Sequence, residues 1–224
     1  MPRPISLSRQ RCGKLTTDWN LPELGNTLNL AQTLTVNSDR LSMNLKNHFL
    51  IAMPGLSGDY FANTLTYICE HSEDGAMGIV INQPSDVSIL ELLAQLNLQM
   101  DKRWLDTPVL LGGPVSPERG FVLHSPYAKS DHSIEISQDI FLSSALDVLS
   151  DVTESNGPDH VLVALGYAGW QGGQLEEEIQ RNIWLTAEAN SDILFATDFA
   201  QRLDQAARLL GVDMHALVAH AGHG

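Results

Sequence analysis

A cysteine and a histidine two residues apart are the first candidates for chemistry. Cys69 and His71 lie in the apolar run at residues 66–71, and alternate residues of a strand share one face. A thiolate beside an imidazole can act as a nucleophile, and His124 is a second candidate neighbour. A zinc site needs three or four ligands, however, and the adjacent Glu70 disfavours a thiolate. Cys69 is therefore either a reactive thiol or a small buried core residue.

The glycine-rich segment 161–178 has the layout of a phosphate cradle. An apolar run leads into a loop with four glycines, and a helix follows; the N–H groups at a helix N-terminus bind anions. The segment lacks both the P-loop Lys-Ser/Thr and a G-x-G-x-x-G pattern, and its three glutamates would repel a phosphate. The glycines therefore serve either an anion site or close packing of a strand on a helix.

Glycine and aromatic residues also cluster at the turn formed by residues 112–114. If this turn faces the loop at 166–173, the two segments line one pocket for a neutral ligand. The candidate ligand-binding residues are Gly113, Arg119, Tyr167 and Trp170. The alternative is that these glycines serve only turns. Placement of the two loops on opposite faces of the fold would exclude a shared pocket.

The other residue types give no catalytic or metal-binding constellation. His220 and His223 lack a third ligand at helical spacing, and Ser57 lies outside any G-x-S-x-G pattern and has no evident base. Paired carboxylates with recognisable spacing are absent, so the acids are interpreted as a solvated surface. We therefore predict no metal site and no cofactor, and a non-enzymatic role is favoured.

The charge distribution argues against direct DNA binding. Residues 1–42 carry five bases and three acids, whereas residues 43–224 carry eight bases and 24 acids, a net charge of −16. Duplex DNA is bound by neutralising its phosphates, so this acidic domain should repel it. The chain has no apolar run long enough for a bilayer, no secretory signal and no disulfide framework. These features predict a cytoplasmic protein without nucleic-acid or membrane partners.

Apolar periodicity predicts alternating strands and helices after residue 42. Strands are expected at 48–53, 65–69, 78–82, 109–112, 120–124, 133–136, 161–166 and 193–196. Helices are expected after a capping box of Ser88 and Glu91, at 139–149, around 175–183, and from Thr197 or Asp198 to Gly211. The spacing of the strands at 109–112 and 120–124 favours an antiparallel hairpin. The later alternation of strands and helices favours a parallel unit, and together they predict a mixed sheet.

Several segments together resemble the AlgH/YqgE family. They are NHFLIAMP at 47–54, YICEH at 67–71, GAMGIVINQP at 75–84, LGGPV at 111–115, RGFVLHS at 119–125, LGYAGW at 165–170, GQLE at 173–176 and AGH at 221–223. The matches run in family order from Met43 to Gly224. Two residues depart from the pattern, because Leu203 replaces the usual tryptophan and Gly224 replaces an alanine.

The resemblance implies an α+β (mixed α/β) fold, with a bifurcated mixed β-sheet curled into a pseudo-barrel and surrounded by helices. It implies one domain at 43–224, after a disordered or spurious extension at 1–42 for which a targeting peptide is the alternative. Family members are described as transcriptional regulators, and no catalytic residue, cofactor or metal is implied. We therefore predict a non-enzymatic regulatory protein that binds an unknown protein or small molecule and affects transcription indirectly. The alternative is a thiol-based redox protein or enzyme using Cys69.

Overall fold

Ten β-strands build the part of the chain that the computed structural model describes, which is residues 44–56, 60–95, 107–128, 133–144, 148–149, 151 and 157–214. The strands are β1 His48–Ala52, β2 Leu65–Ser72, β3 Gly75–Val80, β4 Pro84–Ser88, β5 Pro108–Leu111, β6 Val115–His124, β7 Ile134–Ser137, β8 Ile140–Ser144, β9 Val161–Gln171 and β10 Trp184–Glu188. The α-helices are α1 Ile89–Gln95, α2 Gln174–Gln180 and α3 Arg202–Leu209. Short 3-10 turns lie at Pro54–Leu56 and Phe199–Gln201, and a π-helical turn lies at Asp192–Ala196.

The strands form one branched sheet, and β9 is the strand at which it divides. The main path runs β10-β1-β2-β3-β9-β6-β8-β7, while β5 joins β9 from the side and carries β4. Residues 161–165 of β9 pair with β6, and residues 168–171 pair with β3. The β5–β9 pair is parallel, and the other described pairs are antiparallel.

One large core cluster shows that this sheet is curled. Ile136 of β7 and Ala187 of β10 come from its two ends, yet both belong to the same cluster. Lys46 Nζ also donates a 2.8 Å hydrogen bond to the main-chain oxygen of Glu135, which links the segment before β1 to β7. The predicted α+β fold with a curled, bifurcated sheet is therefore confirmed.

Two smaller clusters cover the outer faces of the sheet. Ile89 and Leu93 of α1 pack on valines of β5, β6 and β9, and Leu175 of α2 packs on Trp170 and Trp184. None of the described helices has the length and apolar character needed to cross a bilayer. The predictions for residues 1–42, Ser57, His220 and His223 fall outside the described residues.

Two local signals in the sequence are confirmed atom by atom. The Ser88 N–H donates to Glu91 Oε2 at 2.9 Å, and the Glu91 N–H donates to Ser88 Oγ at 3.2 Å, which is a reciprocal capping box. Gly211 follows α3 with φ +70°, and the N–H groups of Gly211 and Val212 donate to main-chain oxygens of the last turn. That pattern is a Schellman motif.

Two predicted elements are wrong in part or in whole. Residues 140–144 of the predicted helix form β8, because Ile140 and Leu142 alternate into the core and the strand pairs with both β6 and β7; Val148 and Leu149, at its predicted end, are helical. The strand predicted at 193–196 is the π-helical turn, since Asn190 Oδ1 accepts the N–H groups that begin it. Strands β4 and β10 were missed, because each depends on pairing with a partner distant in sequence.

The predicted pairing of strands is also wrong in two places. β5 and β6 do not form a hairpin within the described residues, because both pair with β9, which lies between them. The later strands do not form a parallel unit, since β10 pairs antiparallel with β1. The parallel pair is instead β5–β9, so the expected mixed sheet arises by a different connection.

Candidate functional site

Cys69 lies at a β-bulge, which separates it from His71. Ile68 pairs with Gly78 but Glu70 pairs with Met77, so β2 carries one residue more than β3 at this point. Cys69 belongs to the large inner core cluster, whereas His71 faces α2. The two side chains that strict alternation would place on one face are therefore directed to different faces of the sheet.

The environment of Cys69 is opposite to that of a reactive thiol. The residue is 1% exposed, and its Sγ lies 3.7 Å from the main-chain oxygen of Tyr67. Burial raises the pKa of the thiol, and the neighbouring Glu70 raises it further. A nucleophilic cysteine needs a lowered pKa and access to solvent. The environment of Cys69 therefore favours the second hypothesis, a small buried core residue.

His71 instead joins the N-terminal segment to α2. Its Nδ1 accepts the N–H of Leu45 at 2.9 Å, so its Nε2 carries the proton. Nε2 donates to Glu176 Oε1 at 3.0 Å. Both nitrogens of the imidazole are thus hydrogen-bonded. Within the described residues, no group of three or more His, Cys, Asp or Glu side chains could hold a metal ion.

The predicted glycine-rich loop is mostly strand. β9 continues to Gln171, which leaves Gly172 and Gly173 as the connection to α2. Glu176 and Glu177 occupy the first turn of that seven-residue helix, where they complement the helix dipole themselves. The geometry is therefore that of a tight strand-to-helix connection.

Three of the four predicted ligand-binding residues lie together, and the fourth lies elsewhere. Gly113 packs on the backbone of Tyr167, whose ring is 5.7 Å from that of Phe121. The Arg119 guanidinium lies 5.8 Å from the Phe121 ring centre. Trp170, in contrast, packs against α2 in the outer cluster.

The glycines beside Tyr167 allow backbones to cross where the sheet divides. Gly112 donates its N–H to the oxygen of Leu165 and accepts the N–H of Val80, both at 2.8 Å. Gly166 has φ +71°, and a Cβ on it would overlap the main-chain oxygen of Gly113. Only glycine combines that backbone conformation with so close an approach.

A carboxylate that sequence reasoning missed ties α2 to the sheet. Glu178 Oε2 accepts the indole N–H groups of Trp170 at 2.9 Å and Trp184 at 2.8 Å. Its Oε1 accepts Nε2 of Gln174 at 2.9 Å. Trp170 and Trp184 are nearly buried and their rings are 6.1 Å apart in an edge-to-face arrangement. The run of glutamates was the one available signal, and it does not reveal which acid faces the tryptophans.

The β2–β3 turn and α2 together form an acidic face. Glu73, Asp74 and Glu177 are exposed there, and Gly172 packs against the main-chain oxygen of Glu73. Arg181 is the basic residue beside them, and its Nη2 lies 3.8 Å from Glu177 Oε2. Such a surface repels polyanions.

His124, the second predicted neighbour of Cys69, lies in a separate polar network with two serines. Its Nδ1 is 2.8 Å from the main-chain oxygen of Ser125. Its Nε2 is 2.9 Å from Ser143 Oγ and 3.2 Å from Ser133 Oγ. Ser143 Oγ lies 2.7 Å from Ser133 Oγ. The sequence contains no local signal for this triangle, because it joins β6 to the β7–β8 hairpin.

These features define a class of protein, an α+β domain with a curled sheet that divides at one strand. Residues 49–215 match the family described as AlgH-like, so the chain belongs to the AlgH-like family and the resemblance is confirmed. A UPF0301 protein of Serratia proteamaculans is 48% identical over 186 residues, covering 81% of this chain and 100% of the relative. A UPF0301 protein of Thioalkalivibrio sulfidiphilus is 48% identical over 182 residues, covering 81% of this chain and 98% of the relative.

Two solved structures have a similar fold. The solution structure of the AlgH protein from Pseudomonas aeruginosa has a TM-score of 0.66 and 42% identity, and it covers 85% of this chain and 100% of its own. A protein from Corynebacterium diphtheriae has a TM-score of 0.60 and 19% identity, over 76% of this chain and 94% of its own. At 19% identity, the Corynebacterium diphtheriae protein is similar to this chain in fold alone.

Proposed function

We propose that this protein is a cytoplasmic, non-enzymatic regulatory protein that binds a protein or a small molecule, and that any effect on transcription is indirect. The observation that carries the proposal is the acidic face formed by the β2–β3 turn and α2. It exposes Glu73, Asp74 and Glu177, and among the described bases Arg181 pairs with Glu177 there. A protein that binds duplex DNA directly needs the opposite sign of charge.

The burial of Cys69 supports binding rather than thiol chemistry. The free thiol lies in the core, and burial raises its pKa. A redox protein or enzyme using Cys69 would need a thiolate that a substrate can reach. His71, the base proposed for it, is occupied by Leu45 and Glu176. The thiol alternative is therefore disfavoured.

Direct and indirect action on transcription can be separated by measuring DNA affinity. We expect fluorescence anisotropy with random and promoter duplexes at physiological salt to give dissociation constants weaker than about 1 µM. The double variant Glu73→Lys, Asp74→Lys provides a matched control, because reversing the charge of the acidic face should strengthen binding to both duplexes equally. Sub-micromolar binding of the unaltered protein, with a steep salt dependence, would refute indirect action.

The nature of the partner requires a second measurement. Native mass spectrometry of the purified full chain would detect a small molecule that remains bound, and affinity capture would detect a protein. A saturable complex of either kind with the folded chain is expected. Turnover of a captured small molecule by the purified chain would contradict the non-enzymatic part of the proposal.

A further inference from the structure

The hydrogen bonds of His124 fix which of its ring nitrogens carries the proton and which accepts one. The main-chain oxygen of Ser125 can only accept, so Nδ1 of His124 donates to it at 2.8 Å and carries the proton. Nε2 is therefore an acceptor, and it faces the hydroxyl groups of Ser143 and Ser133. An imidazole oriented by one partner, with a hydroxyl group at its other nitrogen, is the arrangement of a base and its nucleophile.

The three members of the network differ in their access to solvent. His124 is 0% exposed and Ser143 is 4% exposed, whereas Ser133 is half-buried. The His124 ring is stacked on Phe141 at 5.9 Å and meets the edge of Tyr127 at 5.3 Å. Burial lowers the pKa of His124, so the ring is neutral and able to accept a proton near pH 7. Ser133 is thus the member through which an outside molecule can reach the base.

We propose that Ser133 is an activated nucleophile that takes an acyl group from an activated ester, with His124 as its general base. Ser133 Oγ attacks the carbonyl carbon of the ester, and its proton passes to Nε2 of His124. The bond from the carbonyl carbon to the leaving oxygen breaks, and the leaving group takes the proton from His124. The products are an acyl-serine and an alcohol or phenol, so no oxidant or reductant is required.

The charges near Ser133 favour a neutral donor. Glu135, two residues after Ser133, is exposed on β7, and Lys46 is bound to its main-chain oxygen. An anionic phosphoryl donor would be repelled by this acid. The proposed reaction goes beyond the proposed function and does not rest on it, because it would be a single covalent modification of this chain.

The probe is p-nitrophenyl acetate, added to the full-length protein near neutral pH. We expect release of up to one equivalent of p-nitrophenol and, by peptide mass spectrometry, one acetyl group on Ser133. The variant Ser133→Ala should lose both signals, whereas Ser137→Ala, at the other end of β7, should keep them. His124→Gln should slow acetylation of Ser133 by about tenfold or more, because a general base typically contributes about a hundredfold or more to the rate.

Folding of each variant is checked by circular dichroism. If His124→Gln does not fold, the pH dependence of Ser133 acetylation in the natural protein is measured instead, and the rate should fall as the pH drops and Nε2 of His124, 3.2 Å from Ser133 Oγ, takes up a proton. Acetylation confined to lysines, or acetylation of Ser133 no faster than that of Ser137, would overturn the proposal. So would an unchanged rate of Ser133 acetylation in folded His124→Gln or, if that variant does not fold, a rate in the natural protein that does not fall as the pH is lowered.

Discussion

Glu178 illustrates how one side chain can determine the position of a helix. Its carboxylate accepts hydrogen bonds from Trp170, Trp184 and Gln174. An amide in its place is neutral, and it turns one acceptor oxygen into a donor that faces N–H groups. Because hydrogen bonds to a charged acceptor are worth more than neutral ones and the indoles are buried, Glu178→Gln should lower the free energy of unfolding by about 2 kcal/mol.

Urea unfolding followed by tryptophan fluorescence measures this loss. The matched control is Glu177→Gln on the same helix, since the Glu177 side chain forms an exposed pair with Arg181 at 3.8 Å. That change should cost less than about 0.5 kcal/mol. Equal losses in the two variants would show that the contacts of Glu178 do not hold α2.

The lowered pKa of His124 should make the stability of the protein depend on pH. Burial lowers its pKa, partly opposed by the hydrogen bond to Ser125, while the unfolded chain keeps a value of about 6.5. The folded state therefore binds the proton less tightly than the unfolded state. The stability due to neutral His124 is fully present above about pH 6.5 and is lost as the pH falls through the folded-state pKa.

Urea titration in steps from about pH 7.5 to pH 5 measures the free energy of unfolding. This free energy should fall more steeply with decreasing pH in the natural protein than in His124→Gln. Other titrating groups are common to both proteins, so the difference between the two slopes isolates His124. Parallel pH profiles would contradict the prediction.

At the scale of elements, a buried arginine fixes the start of α3. Arg202 Nε donates to the main-chain oxygen of Thr197 at 2.9 Å, and Nη1 donates to that of Ile81. The guanidinium lies 4.3 Å from the Phe199 ring centre. Burial lowers its pKa to about 10, with Asp198 opposing the shift, so Arg202 remains charged at neutral pH. The helix is thereby joined to the end of β3 through backbone oxygens.

The crossing of β9 with the segment after β5 depends on glycine. Substitutions at two glycines distinguish the cost of backbone strain from the cost of steric overlap. Gly166 and Gly173 both have positive φ, at +71° and +79°. A Cβ on Gly166 would overlap the Gly113 main-chain oxygen, whereas a Cβ on Gly173 meets nothing within 4 Å. Gly173→Ala should therefore cost only the backbone strain, about 1 kcal/mol. Gly166→Ala should cost more than about 3 kcal/mol, because the overlap adds to that strain.

Thermal unfolding and urea titration of both variants test this difference. Far-UV circular dichroism shows first whether the Gly166→Ala protein still folds, and failure to fold agrees with the prediction. Similar, small losses in the two variants would mean that the strands can separate at the crossing without cost.

At the scale of the whole molecule, the extension at residues 1–42 is predicted to contribute little. Its net charge of +2 is opposite to the −16 of residues 43–224, and it has no apolar period with which to pack. Deletion of residues 1–42 should therefore change the free energy of unfolding by less than about 1 kcal/mol. Urea titration of the full and shortened chains measures the change. A larger loss, or resistance of the segment to protease in the intact protein, would show that it packs on the domain.

The sequence by itself determined the local features and the family. The capping box of Ser88 and Glu91 and the terminating Gly211 depend on residues a few positions apart, so their signals are complete within a short segment. The family followed from motifs spread along residues 47–223 in order. Most strands were located to within a few residues, because apolar alternation records which face is buried.

Only the tertiary structure decided which strands pair and which side chains meet. Apolar alternation does not identify a strand's partner, so β9 between β5 and β6 could not be predicted from it. A bulge adds one residue without a mark in the sequence, and it separated Cys69 from His71. The contacts of Glu178 and His124 join elements distant along the chain. Such contacts form only when the curled sheet brings those elements together, which is why local periodicity carries no record of them.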